Sequence, residues 1–132
     1  MIVVDTTVLG DLWFNGGELR ASAEKLLELD PEWICLELVR YELGNVARSH
    51  VAFGEMEMAD AMLGIEAIEA TIEEVVQGAD WISALQLAVT EDLSYYDASH
   101  VWLARSRGLK LRTRDKRILA NCPDVAVAMP EA

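Results

Sequence analysis

Two periodicities share this chain. Short apolar runs at Ile2-Val3-Val4 and Trp33-Ile34-Cys35-Leu36 have the character of buried strands, while the longer stretches between them space their apolar residues three and four apart, as a helix with one buried face does. Val8, Leu9, Leu12 and Trp13 follow the first run at helical spacing, so a strand feeds a helix. Glu18 to Leu29 puts Leu19, Ala23, Leu26 and Leu27 on one face, and Asp30-Pro31 stops it, because a residue before proline is steered out of the helical region. Leu38 to about Ser49 is helical again, Gly54 marks a break, and Glu55 to about Ala70 carries an apolar stripe of Met58, Ala61, Met62, Ile65 and Ile68. Thr71 to Val76 is β-prone, Asp80 to about Glu91 is amphipathic through Ile82, Leu85, Leu87, Ala88 and Val89, and Ser94 opens a helix that runs to Ser106 and ends at Gly108. Leu109 to Thr113 and Val125 to Val127 complete the strands, with a short helix from Lys116 to Ala120 between them.

Strands alternating with helices predict an α/β fold of three layers, a central mainly parallel sheet between helical layers joined by right-handed crossovers. The 132 residues, with no linker, repeat or low-complexity stretch, are expected to form one domain over 1–132, and a hydrophobic content of 52% suffices for its core. Cys35 and Cys122 stand far apart with no paired spacing, so they read as small core residues in a reducing compartment rather than a disulfide or zinc site. The MIVVDTTVLG start lacks a charged leader and no apolar run approaches a membrane span of about 18 residues, so a soluble cytoplasmic protein with no membrane partner is expected.

Charge complicates the choice of partner. A net charge of −12 taken alone argues against nucleic acid, since phosphate binding draws on Lys and Arg. Yet Val51 to Ala104 contains neither, whereas Arg105, Arg107, Lys110, Arg112, Arg114, Lys116 and Arg117, seven of eleven basic residues, crowd around Asp115. Two readings stand: a solvated charged face, or a rim that meets phosphate.

Four acids attract attention, and each has a purely structural reading. Asp5 between strand and helix suits an N-cap, or a carboxylate at the carboxyl end of a parallel strand, where such sheets build their sites. Glu42 shares a stripe with Val39, Leu43 and Val46 and has no cation on it, so it either reaches solvent at the stripe's edge or takes a metal partner. Asp97 completes a capping box with Ser94 and also lies on a stripe with Val101 and Ala104. Asp115 again suits an N-cap, with Thr113 as an alternative cap or a donor to a neighbouring carboxylate. Together they share an address: Asp5, Asp97 and Asp115 are expected where a strand gives way to a helix and Glu42 on a helix just after a strand, places that converge on one edge of a parallel sheet. Carboxylates gathered there repel one another unless a divalent cation offsets them, and all-oxygen donors favour Mg2+ or Mn2+ over zinc.

The stretches VVDTTVL, LVRYELGNV, LSYYDASHVWLA and LRTRDKRIL, in that order and spacing over almost the whole chain, resemble the PIN domain, and within it the small VapC-type toxins of prokaryotic VapBC toxin–antitoxin pairs. The resemblance implies a metal-dependent endoribonuclease whose site acids are Asp5, Glu42 and Asp97, with Asp115 completing the cluster directly or through water, and whose supporting polar residues are Thr6, Asn45 and Thr113. It implies that the metal polarises the scissile phosphate and activates a water for in-line attack, leaving a 5′-phosphate and a 3′-hydroxyl. It further implies a homodimer, a cognate antitoxin whose tail occupies the acidic groove, and structured RNA such as transfer RNA as substrate. Arg112, Arg114 and Lys116 are the candidate RNA contacts; the strongly negative net charge departs from the pattern of a nuclease and puts the RNA surface in question.

Other residues are read more plainly. His50 and His100 are taken as surface or helix-packing residues, and Trp13, Trp33, Trp81 and Trp102 as core or dimer contacts. A receiver domain would need an acid pair at the first strand, where Thr6 and Thr7 follow Asp5, and a D-x-D phosphatase would need an acid where Thr7 stands. The remaining alternative is a PIN fold kept as a non-catalytic binding module.

Overall fold

The computed structural model describes residues 1–132 as five strands and seven helices in the order β1 (Ile2–Val4), α1 (Thr6–Asp11), α2 (Gly17–Leu29), β2 (Trp33–Leu36), α3 (Leu38–Ala52), α4 (Met58–Thr71), β3 (Ile72–Val76), α5 (Trp81–Thr90), α6 (Tyr95–Arg107), β4 (Leu111–Thr113), α7 (Lys116–Asn121) and β5 (Ala126–Ala128). Every strand pair is parallel and the spatial order is β3-β2-β1-β4-β5. No helix is long and apolar enough to cross a membrane.

Alternation along the strands divides the core in two. Ile2, Val4, Trp33 and Cys35 point into one cluster with Val8, Leu9, Leu26, Val39 and Leu43, while Val3, Ile34 and Leu36 point into the other with Ala98, Val101, Leu103, Ala104 and Ile118. Strands buried on both faces need apolar residues at every position, which is why β1 and β2 read as unbroken apolar runs. Burial pushes the Cys35 thiol up to about 12, as suits an inert core residue, and both cysteines are free and buried.

Three helical stripes need correction. On α2 the buried residues are Ser22, Ala23 and Leu26, with Leu19 exposed. On α4 Ala61, Gly64 and Ile68 are buried, and Met58 and Met62 are exposed, so the helix starts at Met58 rather than Glu55 and rolls half its expected stripe outward. The cause lies at Gly64: a Cβ there would stand 2.1 Å from Trp13 Cδ1, so the helix seats its glycine against the indole, whose Nε1 donates to the Asp60 carbonyl at 3.0 Å. On α5 Ala84 and Ala88 face inward, leaving Trp81, Ile82, Leu85 and Val89 exposed. Trp81 is therefore no core residue, whereas Trp33 is fully buried.

Candidate functional site

From β1 the chain proceeds outward to β2 and β3, then returns to lay β4 on the other side of β1. The reversal falls between β1 and β4, and the crevice outside the carboxyl ends of strands at such a switch point is the place where open parallel sheets accept ligands. Asp5 lies at the end of β1 and caps α1, its Oδ1 accepting from Val8 N at 3.2 Å and from Thr7 Oγ1 at 2.7 Å. Its Oδ2 accepts from Thr113 Oγ1 at 2.5 Å, a bond across the crevice between residues 108 positions apart in sequence. Thr113 in turn accepts from the Asp115 amide at 3.0 Å, and Asp115 caps α7 through Ile118 N at 2.9 Å. The capping readings of Asp5 and Asp115 thus hold, and Thr113 serves as the donor to a neighbouring carboxylate.

Glu42 enters from α3, half-buried, and accepts from Thr6 Oγ1 at 2.7 Å. Its nearest basic neighbour comes from another helix: His100 Nε2 lies 3.9 Å from Oε1, too long for a direct hydrogen bond. Together the imidazole and, secondarily, the Thr6 hydroxyl hold the Glu42 carboxyl below its ordinary value against the opposing effect of burial. His100 is 3% exposed, so it is no surface residue, and its Nδ1 is buried without a partner. It stands one turn after Asp97 on α6, at the i+3 spacing that shares a face, and that spacing is the signal in the sequence that joins it to the acids.

Asp97 does not sit where a strand gives way to a helix. It lies in the first turn of α6, which follows α5, and reaches the crevice because α6 packs on β1, β2 and β4. Ser94 Oγ accepts from the Asp97 amide at 3.1 Å, one half of the expected capping box. Burial, then Asp115 and Asp5, hold the Asp97 carboxyl above its ordinary value, so these three acids feel one another. Even so, no three His, Cys, Asp or Glu side chains are drawn into a finished ligand shell; Asp5, Glu42 and Asp115 are each engaged with protein donors instead. The donor chemistry, carboxylate and hydroxyl oxygen with mutual repulsion concentrated on Asp97, fits a hard divalent cation.

Among the supporting residues Asn45 is exposed on α3, one turn beyond Glu42, and adds no tie to the crevice. The basic rim is largely spent on the protein itself. Arg105 pairs with Asp124 and Glu91, Arg107 with Glu74, Lys110 reaches the Asp124 carbonyl and Arg112 the Ala128 carbonyl. Arg114 binds Asp11 at 2.6 and 3.0 Å, which leaves exposed Lys116 and Arg117 as the free cations of the segment. Arg105, Arg107 and Arg114 are thus held by carboxylates, and Lys110 and Arg112 by backbone carbonyls.

The PIN domain family model matches residues 2–122, which carry Asp5, Glu42, Asp97 and Asp115. The chain belongs to the PIN domain family. A curated relative, Exonuclease VapC9 from Pyrobaculum aerophilum, is 29% identical over 102 residues, 77% of this chain and 76% of the relative. The crystal structure of PAE2754 from Pyrobaculum aerophilum superposes with a TM-score of 0.78 at 26% identity, covering 96% of this chain and 87% of that one. A toxin–antitoxin complex from Klebsiella pneumoniae gives a TM-score of 0.74 at 22% identity with all of both chains covered. Mycobacterium tuberculosis VapC20, a sarcin-ricin loop cleaving toxin, gives 0.65 at 18% over 91% of this PIN domain and 95% of its own chain. The last two establish a shared fold and no more.

Proposed function

We propose that this PIN domain is a metal-dependent endoribonuclease and the toxin of a VapBC-type pair, with Asp5, Glu42, Asp97 and Asp115 holding Mg2+ or Mn2+. The observation that carries the proposal is the bond that Thr113 Oγ1 donates to Asp5 across the β1–β4 reversal, beside which Asp97 is pushed up by burial first and then by the charges of Asp115 and Asp5. The family match and the relative named as a VapC nuclease support the same reading. A bound ion would supply Lewis-acid polarisation of a scissile phosphate and a more acidic water. Thr113 and Thr7 fix the Asp5 carboxylate, Thr6 orients Glu42, and Ser94 fixes the start of α6 that carries Asp97. Prepaid orientation of this kind is what the chain itself contributes to catalysis. Lys116 and Arg117 are exposed cations close to Asp115 in sequence that pair with no acceptor of the protein, and they would meet the RNA backbone, with structured RNA such as transfer RNA as the substrate class.

The same proposal includes a cytoplasmic homodimer and a cognate antitoxin. The exposed face of α5, Trp81, Ile82, Leu85 and Val89 without a charge between Trp81 and Thr90, suits a self-complementary contact. A groove of about 530 Å3 between α3 and α4, lined by Val51, Met58, Met62 and Ile65, suits an amphipathic antitoxin segment. The test maps RNA 5′ ends after brief expression of the wild type and of Asp97→Asn. Discrete new ends with 5′-phosphates are expected only in the wild type; equal cleavage by a folded Asp97→Asn protein would overturn the site assignment, and none by either would leave the non-catalytic binding module as the better reading.

A further inference from the structure

Resting on that reading, we infer that Asp11 and Arg114 form a positioning clamp that sets where Asp115 and the Thr113 hydroxyl stand relative to Asp5, rather than Arg114 serving as an RNA contact. Asp11, the last residue of α1, is completely buried, an unusual place for a carboxylate. It is satisfied there by three donors: Arg114 Nε at 2.6 Å on Oδ2, with Arg114 Nη2 at 3.0 Å and Asn15 Nδ2 at 2.7 Å on Oδ1. The two-pronged fork fixes direction as well as distance, which a single ammonium cannot do.

The position of Arg114 in the chain gives the pair its consequence. On one side is Thr113, whose hydroxyl donates to Asp5 and accepts the Asp115 amide; on the other is Asp115 itself, cap of α7. Asp5 caps the start of the same short helix α1 that Asp11 ends, so α1 is tied to the β4–α7 turn at both of its ends. β4 spans three residues and α7 six, so the turn between them is short. Partners 103 positions apart close the loop, so the clamp acts only once the sheet has assembled.

Two variants of the full chain test this: Arg114→Lys, which keeps the charge but loses the fork, and Asp11→Leu with Arg114→Met, which replaces the pair by apolar side chains so that no buried charge is left alone. In metal-free protein, amide exchange at Asp115 and Ile118 is expected to accelerate in both variants while the amides of β1, β2 and α3 keep their protection. Binding of Mn2+, followed by loss of the free-ion electron paramagnetic resonance signal, is expected to need about tenfold more metal in either variant, the usual cost of losing a group that orients a ligand. Unchanged exchange at Asp115 and Ile118 in both variants would overturn the clamp, as would unchanged Mn2+ affinity alongside locally faster exchange, since the pair would then be merely structural. Wild-type protein that binds no Mn2+ would defeat the nuclease reading, while the exchange pattern would still decide for or against the clamp.

Discussion

Asp97 is the carboxylate whose surroundings least suit its charge, and that discomfort is measurable. Its folded pKa is raised, so the ionised form costs the metal-free fold stability; the cost is fully present above that raised value and falls away as pH drops through it. Glu42 has the opposite sign. Its folded pKa is lowered, so it contributes stability above its ordinary value of 4.5 that is lost as pH falls through the depressed one. In chelator, Asp97→Asn is therefore expected to lose the gain that mild acid gives the wild type, and Glu42→Gln to flatten the loss at lower pH; urea midpoints taken between neutral and acid pH report both. Millimolar Mg2+ should raise the melting temperature of the wild type and leave Asp97→Asn unmoved. Thr113→Val removes the hydroxyl bound to buried Asp5, and a hydrogen bond to a charged acceptor is worth about 1.5–3 kcal/mol, so a destabilisation of that order is expected by urea titration.

Helix α4 illustrates how one glycine redirects an element. The period of its apolar residues was plain in the chain, yet Gly64 decided which of them went inward, because the Trp13 indole fills the space a side chain would need. Gly64→Ala should gain helix propensity of about 1 kcal/mol and still destabilise the protein by about 1–3 kcal/mol, since the ring has to be displaced; thermal unfolding that rises instead would show the indole free to move. The helices and strands otherwise lie within a few residues of where periodicity and capping put them, down to the Ser94 cap and the left-handed Gly108 (φ 65°) that ends α6. Such signals are legible because a cap or a stripe involves neighbours along the chain. Which stripe residues face outward was not, since α5 carries more apolar residues than one buried face can take.

For the molecule as a whole, a net charge of −12 is not spread evenly over function. Five of the seven clustered cations turn back onto the protein's own acceptors, so its attraction to RNA should depend on few phosphate contacts and fall only gently with salt. The exposed α5 face makes a sharper prediction. Leu85→Glu puts a charge in its middle and should convert a dimer to a monomer in sedimentation velocity, with little change in unfolding because Leu85 is already 55% exposed. A wild type that sediments as a monomer at micromolar concentration, or a Leu85→Glu protein that stays dimeric, would remove α5 as the contact.

Local order in the chain was enough to lay out the strands and helices, to put Asp5 and Asp115 at helix starts and to make Glu42 an acid in want of a partner, because periodicity, capping and turn chemistry act over a few residues. Assembly of the sheet decided the rest. It brought Thr113 to Asp5, carried Asp97 to the crevice from a helix that follows no strand, buried His100 beside Glu42, and gave Arg114 to Asp11 instead of leaving it to solvent. Hydrogen bonds and ion pairs depend on distance in space, and groups more than a hundred residues apart become neighbours only when parallel strands fix both.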